Sequence, residues 1–358
     1  MSSFFRNLVE QIKDEDTTIA ADGKGAAEFS GTIDSGSYIL NAVLSGSLYG
    51  GVPNNKITAF AGESATGKTF FVLGIVKSFL DKNPNAGVVY YDTEAAVTRS
   101  MMEDRGIDTQ RVILAQMDTV QKFRHHALKM IESYEKTKEK DRPPMMFVLD
   151  SLGLLSSTKE MEDTQEGKET RDMTKAQIIK ATFRVLTLKL AKVGVPMIVT
   201  NHVYASMGSM FPTNEIAGGS GLKYAASTIA MLSKRKEKEG NEVIGNVIHV
   251  KMYKSRLSKE NKMVDVLLTY KDGLDRYYGL LELAERHGIF KKVSTRFEMP
   301  DGTKVFGKTI NDNPEKYFTE VVMAQLEAAA NKEFRYGTGD EPVEYDPETG
   351  EVHEEEAN

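Results

Sequence analysis

The 358-residue chain contains no cysteine. That absence excludes a disulfide framework, a thiolate zinc site and cysteine nucleophilic chemistry, and it fits a reducing compartment such as the cytoplasm. Long apolar runs are missing too. None approaches the roughly 18 residues needed to cross a bilayer, and Arg6, Glu10, Lys13 and Asp14 interrupt the first stretch before a signal-peptide core can form. The sequence predicts a protein that is neither exported nor embedded in a membrane. Repeats of fixed period are also absent, which argues against solenoid and propeller arrays. What remains is 40% hydrophobic and 27% charged, long enough for one large domain with a smaller appendage.

An overall basic excess is lacking as well, since the formal net charge is −6. At face value this opposes a nucleic-acid partner, because phosphate binding leaves a basic footprint. The acidity is concentrated, however. Nine carboxylates and no Lys or Arg lie between Gly337 and Asn358, so the other 43 acidic residues face 46 basic ones. The body is mildly basic, and the tail reads as a solvated, disordered segment.

Residues 1–14 suggest an amphipathic helix with Phe4, Phe5, Leu8, Val9 and Ile12 on one face, followed by a polar linker. From Lys56 onward, short apolar runs (KITAFA, GVVYYD, RVILA, MMFVLD, PMIVTN) alternate with helical segments near 69–82, 118–138 and 171–192. That alternation predicts an α/β fold with a doubly wound, mainly parallel sheet. Three strand-like runs after Ser227 predict antiparallel strands at one edge. The expected organisation is a helix and linker over 1–32 serving oligomerisation, a core over 33–273, a small lobe over 274–336 and the acidic tail over 337–358.

The sharpest local signal is Gly62-Glu63-Ser64-Ala65-Thr66-Gly67-Lys68-Thr69, a G-x-x-x-x-G-K-[ST] phosphate loop between a predicted strand and a predicted helix. Its glycines let backbone N–H groups wrap phosphates at a helix amino terminus, Lys68 reaches the β/γ-phosphates and Thr69 holds Mg²⁺. Asp150 ends an apolar strand and is the metal-side candidate. Glu94 lies two residues past another strand end and is the candidate catalytic base, with Asp92 a rival. Asn201 and His202 arrive at the same rim, where His202 is a candidate γ-phosphate sensor or an ordinary structural histidine.

The ordered set GESATGKT, YDTE, FVLDS, TNH and GGSGLKYAAS, with Asp172-Met-Thr-Lys-Ala and Lys254-Ser-Arg256, resembles the RecA-type strand-exchange recombinases and, within them, the phage UvsX recombinases. The resemblance spans roughly residues 33–285. It implies a RecA-like P-loop ATPase core, use of ATP and Mg²⁺, a helical self-filament on single-stranded DNA, and strand exchange with homologous double-stranded DNA. A recombination mediator and a single-strand DNA-binding protein are implied partners. By the same resemblance, Glu94 is the hydrolytic glutamate and His202 the γ-phosphate switch. Lys254 and Arg256 reach a neighbouring subunit's ATP, and Met101 takes the place of a base-stacking tyrosine.

Two long segments, 157–170 and 203–221, follow strand ends as candidate DNA loops. The first is predominantly acidic, which argues against it on charge alone. The second carries glycines and the apolar pair Met210 and Phe211, candidates to wedge between bases, with Gly218 and Gly219 gripping phosphates through backbone N–H groups. Arg171 and Lys175, and then Lys180 and Arg184, are spaced to share helix faces. Ala27–Gly31, with Phe29, is a candidate strand for a neighbour's sheet edge or a loose linker. A RecA-fold helicase or packaging motor, and an ATP-binding regulator that occludes DNA without strand exchange, remain the alternatives.

Truncation after Tyr336 should tighten binding to duplex DNA, most at low salt, because nine carboxylates cease competing with phosphate. Equal affinities across a salt titration would refute the tail's role.

Overall fold

The computed structural model describes residues 3–14, 17–22, 31–168, 172–205, 214–217, 219–240 and 242–337, and the backbone of 344–345 and 352–353. The chain opens with α1 (Ser3–Ile12), whose Phe4, Phe5, Leu8 and Ile12 are exposed. Next come β1 (Thr32–Ile33), α2 (Tyr38–Ser45) and β2 (Val52–Pro53). The expected alternation then follows as β3 (Ile57–Gly62), α3 (Lys68–Lys82), β4 (Gly87–Asp92), α4 (Arg99–Glu103), β5 (Val112–Gln116), α5 (Val120–Glu135) and β6 (Met145–Asp150). It continues through α6 (Thr158–Gln165), α7 (Lys175–Val193), β7 (Met197–Ala205), β8 (Asn214–Ile216) and α8 (Ser220–Ala225). Strands β9 (Thr228–Glu239), β10 (Glu242–Ser255), β11 (Met263–Thr269) and β12 (Gly273–Leu274) complete the main sheet. The last part holds α9 (Leu280–Arg286), a small sheet of β13 (Lys291–Val293), β14 (Arg296–Glu298) and β15 (Lys304–Phe306), then α10 (Gly307–Asp312), α11 (Pro314–Tyr317) and α12 (Glu320–Phe334).

The main sheet runs β12-β11-β10-β9-β3-β7-β6-β4-β5, with β8 paired to the end of β7. Strands from β9 to β5 are parallel, and β10, β11 and β12 extend the β9 edge antiparallel. Strand periodicity sorts side chains between two cores. Phe60, Tyr90, Met146 and Val148 join α2, α3, α9 and α12 on one face, while Ala59, Tyr91, Phe147 and Leu149 join α5 and α7 on the other. This is the doubly wound α/β arrangement expected.

Two expectations about loops need correction. In the first loop, residues 158–165 form α6. Ser157 accepts from the Glu160 N–H while the Glu160 side chain accepts from the Ser157 N–H, a capping box that starts the helix. The second loop is shortened from both ends, since β7 runs through Ala205 and returns as β8, pairing Val203 with Ile216. Met210, Phe211, Gly218 and Arg171 lie outside the described residues, as do Ala27–Ser30 and nearly all of the acidic tail. Helix α7 begins at Lys175, so no helix face shared with Arg171 is described.

The segment from 274 to 336 has no separate core. Leu280, Leu326, Ala330 and Phe334 belong to the same buried cluster as Ile39, Leu44 and Phe71. Hydrogen bonds stitch the two parts together: Glu327 accepts from the Leu48 N–H at 2.7 Å, and the Lys259 N–H donates to the Phe334 carbonyl at 2.7 Å.

The same junction holds an ion cluster around the buried Asp34. The Asp34 carboxylate accepts from Arg276 at 2.6 and 2.7 Å, from Asn41 at 3.0 Å, from the Gly36 N–H at 2.8 Å, and from Lys82. Burial pushes this carboxyl up, but the two cations and the other donors outweigh it and hold it well below the usual carboxylate range. Because the folded value is depressed, its contribution is complete above pH 3.8 and disappears as pH falls toward the folded value. Asp34→Asn should therefore lose about 2–3 kcal/mol at pH 7, discounted for the partial exposure of its partners. Denaturant unfolding at pH 7 and in acid should show that gap narrowing below about pH 4.

Candidate active site

The site follows from strand register. Gly62 pairs with His202 across β3 and β7, and Asp92 pairs with Asp150 across β4 and β6, so four neighbouring strands end on one rim. Gly62 is required sterically, because a Cβ there would lie 2.6 Å from the Leu232 carbonyl oxygen on β9. Gly67 caps α3 at φ 94, a left-handed conformation that favours glycine. Between them, Thr66 Oγ1 donates to the Glu63 carbonyl at 2.6 Å, and the buried Lys68 ammonium donates to the carbonyls of Gly62 at 3.0 Å and Glu63 at 2.8 Å. Burial lowers the Lys68 pKa, opposed by the charges of Glu94 and Asp150. Thr69 follows in the first turn of α3.

Asp150 is buried at the end of β6. Its carboxylate accepts from Tyr90 on β4 at 2.7 Å and from Thr200 on β7. Burial and this carboxylate push the Tyr90 phenol well above its ordinary range, which keeps it a donor. Glu94 sits on the loop after β4 with its side chain about one-third exposed. Its Oε1 accepts from Ser151 Oγ at 3.0 Å and lies 3.3 Å from His202 Nε2.

Asp92, the rival candidate, is engaged by the backbone of the loop that carries Glu94. It is buried and accepts from the N–H groups of Glu94 at 3.0 Å and Val97 at 3.2 Å, so it shapes the loop that presents Glu94. Thr93 and Ser151 exchange bonds across the rim, each 2.8 Å long. His202 lies beside Asn201, whose side chain donates to the Ala217 carbonyl at 2.8 Å, while the Ala217 N–H donates to the His202 carbonyl at 2.9 Å. The rim is thereby joined to the segment returning from the second loop.

Other candidates fall elsewhere. Lys254 and Arg256 lie at the opposite end of the sheet, since Ser255 pairs with Thr228 and Thr228 with Thr58, four residues before Gly62. Lys254 donates to the carbonyls of Lys223 at 2.7 Å and Ala226 at 2.8 Å, capping α8, whereas Arg256 is exposed. Lys175 pairs with Glu160 at 3.0 Å, and Lys180 and Arg184 are exposed together on α7. Gly219 caps the start of α8 at φ 74, where glycine is favoured. Met101 packs on the first core, and its N–H donates to Thr98 Oγ1 at 3.2 Å. It does not line the cavity of about 820 Å³ beside Gly67, whose walls include Phe70, Leu73, Arg105, Leu268 and Tyr270. Arg105 lies over the Phe70 ring at 4.2 Å.

Residues 9–275 match the sequence profile of the RecA N-terminal domain. The chain belongs to the RecA family. This RecA-family chain is 31% identical over 254 residues to the recombination and repair protein of Enterobacteria phage T4, an alignment covering 71% of the chain and 63% of that relative. It is 28% identical over 298 residues to the RecA protein of Rhizobium leguminosarum bv. viciae, covering 79% of each. To the RecA protein of Thermotoga sp. (strain RQ2) it is 28% identical over 284 residues, covering 74% of the chain and 75% of the relative. The chain thus spans less than two thirds of the phage relative's length.

Residue-type reasoning in this RecA-family chain missed Tyr90 and Thr200 as holders of Asp150, and the aromatic walls of the cavity. Apolar runs hide such roles, because a buried tyrosine reads as core until its partner strand is known. Lys254→Ala should cost about 1–2 kcal/mol of stability without any ligand, because the carbonyl end of α8 loses its donor. An unchanged melting temperature in the isolated protein would discard the cap.

Proposed function

We propose that this protein is an ATP-dependent DNA strand-exchange recombinase, forming filaments on single-stranded DNA and pairing it with homologous duplex in recombination, repair and recombination-dependent replication. The observation that carries the reading is the convergence of Lys68, Asp150, Glu94 and His202 on one rim, with His202 Nε2 3.3 Å from Glu94 Oε1 and its strand leading into the second loop.

The residues present fit MgATP. The phosphate loop offers backbone N–H groups, and Lys68 exchanges the Gly62 and Glu63 carbonyls for phosphate oxygens. Among the described residues no cluster of three or more His, Asp or Glu could hold a metal by itself. Thr69 and Asp150 instead suit Mg²⁺, which keeps waters and phosphate oxygens as its other ligands. When bound, that ion neutralises charge developing between the β- and γ-phosphates.

Glu94 accepts a proton from the attacking water as its oxygen bonds the γ-phosphorus and the bond to the β-bridging oxygen breaks, releasing ADP. Ser151 and His202 orient Glu94. Loss of the γ-phosphate is felt at His202 and passes through Asn201 and Ala217 to the second loop, which with Lys180 and Arg184 grips DNA. The cavity beside Gly67 suits the nucleotide base, with Phe70 and Tyr270 as stacking partners in the role first given to Met101. Lys254 and Arg256, remote from their own phosphate loop, serve a neighbour's nucleotide. The edge at β5, unpaired on its outer side among the described residues and with Ile113 51% and Leu114 42% exposed, suits residues 27–31 of a neighbouring copy. A mediator and a single-strand DNA-binding protein are the implied auxiliary partners.

Glu94→Gln should retain ATP binding and DNA filaments while turnover falls at least about 100-fold. Wild-type hydrolysis would remove Glu94 as the base. Joint-molecule formation by the wild type, with homologous but not heterologous duplex, tests the function itself; no product with either would favour a regulator that occludes DNA, and closed rings in electron micrographs a helicase or packaging motor.

A further inference from the structure

The strand beside the phosphate loop carries a cation that the catalytic scheme leaves unused. Leu232 on β9 pairs with Gly62, so Lys234 stands two residues further on the same strand face, about 7 Å past the end of β3. Leu232 belongs to the core on the α3 side of the sheet, and Lys234 faces that way beyond it. Its ammonium donates to the Ala65 carbonyl at the tip of the loop.

That contact falls where the loop most needs support. Ala65 is exposed and has φ 59, a left-handed conformation costly for a residue with a Cβ. Inside the loop, Lys68 and Thr66 satisfy the carbonyls of Gly62 and Glu63 only. The peptide joining Ala65 to Thr66 is planar and trans, so its C=O and N–H point in opposite directions. Holding the carbonyl outward on Lys234 turns the Thr66 N–H inward, where it meets the Glu63 carbonyl at 3.4 Å, a long contact easily exchanged for a stronger acceptor.

We infer that Lys234 is a positioning residue for nucleotide binding: it fixes the outward carbonyl at the loop's tip, so that the inward N–H groups are arranged before a triphosphate arrives. The inference rests on the nucleotide reading of this site. Its effect belongs to binding rather than to the chemical step, since the ammonium touches neither Glu94 nor Asp150 among its described contacts.

The test uses the full chain, a fluorescent ATP analogue with Mg²⁺, and steady-state hydrolysis on single-stranded DNA. Lys234→Ala should weaken analogue binding and raise KM by about tenfold, leave kcat within about twofold and leave the ligand-free melting temperature unchanged. Lys234→Arg, which keeps a cationic donor of similar reach, should recover most of the affinity. Lys236→Ala, two residues further along the same face, should behave as wild type. Wild-type nucleotide affinity in Lys234→Ala overturns the inference, as does a loss of DNA affinity with nucleotide affinity intact. A wild-type protein that binds no nucleotide overturns the reading of the site as well, so the two failures are distinguishable.

Discussion

A carboxylate buried at a strand end is the constraint around which this molecule is arranged. Asp150 is shielded from water, and a charge so placed is tolerated only when donors surround it. Those donors come from both neighbouring strands, Tyr90 on β4 and Thr200 on β7, so satisfying the charge also locks the ends of three strands in register. The loop after β4 is then tied down by the mutual bonds of Thr93 and Ser151 and by Asp92 beneath the Glu94 N–H. Glu94 is thus held both by its own loop and by Ser151, the residue that follows Asp150. On the proposed function this support matters, because a general base is useful only when its position is set before substrate arrives.

The charges on the rim balance one another without forming a tight buried pair. Lys68 loses hydration on burial, which favours its neutral form, while the fields of Glu94 and Asp150 favour the ammonium. Its hydrogen bonds go to loop carbonyls rather than to either acid. A direct Lys68 salt bridge would have to be broken for phosphate to bind, whereas carbonyl contacts are exchanged at smaller cost. His202 follows the same logic, touching Glu94 with its ring and the segment after the second loop with its backbone.

Much of this was legible in the sequence where chemistry and position coincide locally. The phosphate loop, the terminal Asp150 and the strand-end Glu94 and His202 each carry a short pattern, and the alternation of apolar runs orders the strands. What escaped depends on partners distant along the chain. Ser157 and Glu160 spell a helix start, but the surrounding run of charges reads as a loop until the capping box closes. Met101 occupies a family position, yet its side chain turns to the core while Phe70 and Tyr270, from separate elements, wall the cavity. Lys254 reads as a free basic residue because the carbonyls it caps belong to a helix about 30 residues earlier and across a strand, and only the fold brings them together.

The register of β9 and β10 sets Lys254 and Arg256 apart from the phosphate loop of their own chain. Parallel pairing to β3 sends the far end of β9 past the phosphate loop, and the antiparallel return along β10 delivers Ser255 beside Thr228, at the opposite end of the sheet. Four residues of strand separate that level from Gly62, about 13 Å at the rise of a β-strand, before the loop itself is counted. Arg256, the residue after that strand, therefore lies at the end of the sheet remote from the rim of Lys68, Glu94 and Asp150. On the proposed function, its phosphate contact must be supplied between subunits. The same geometry would make hydrolysis sensitive to assembly, because a charge delivered in trans stabilises the transition state only when a neighbour is in place.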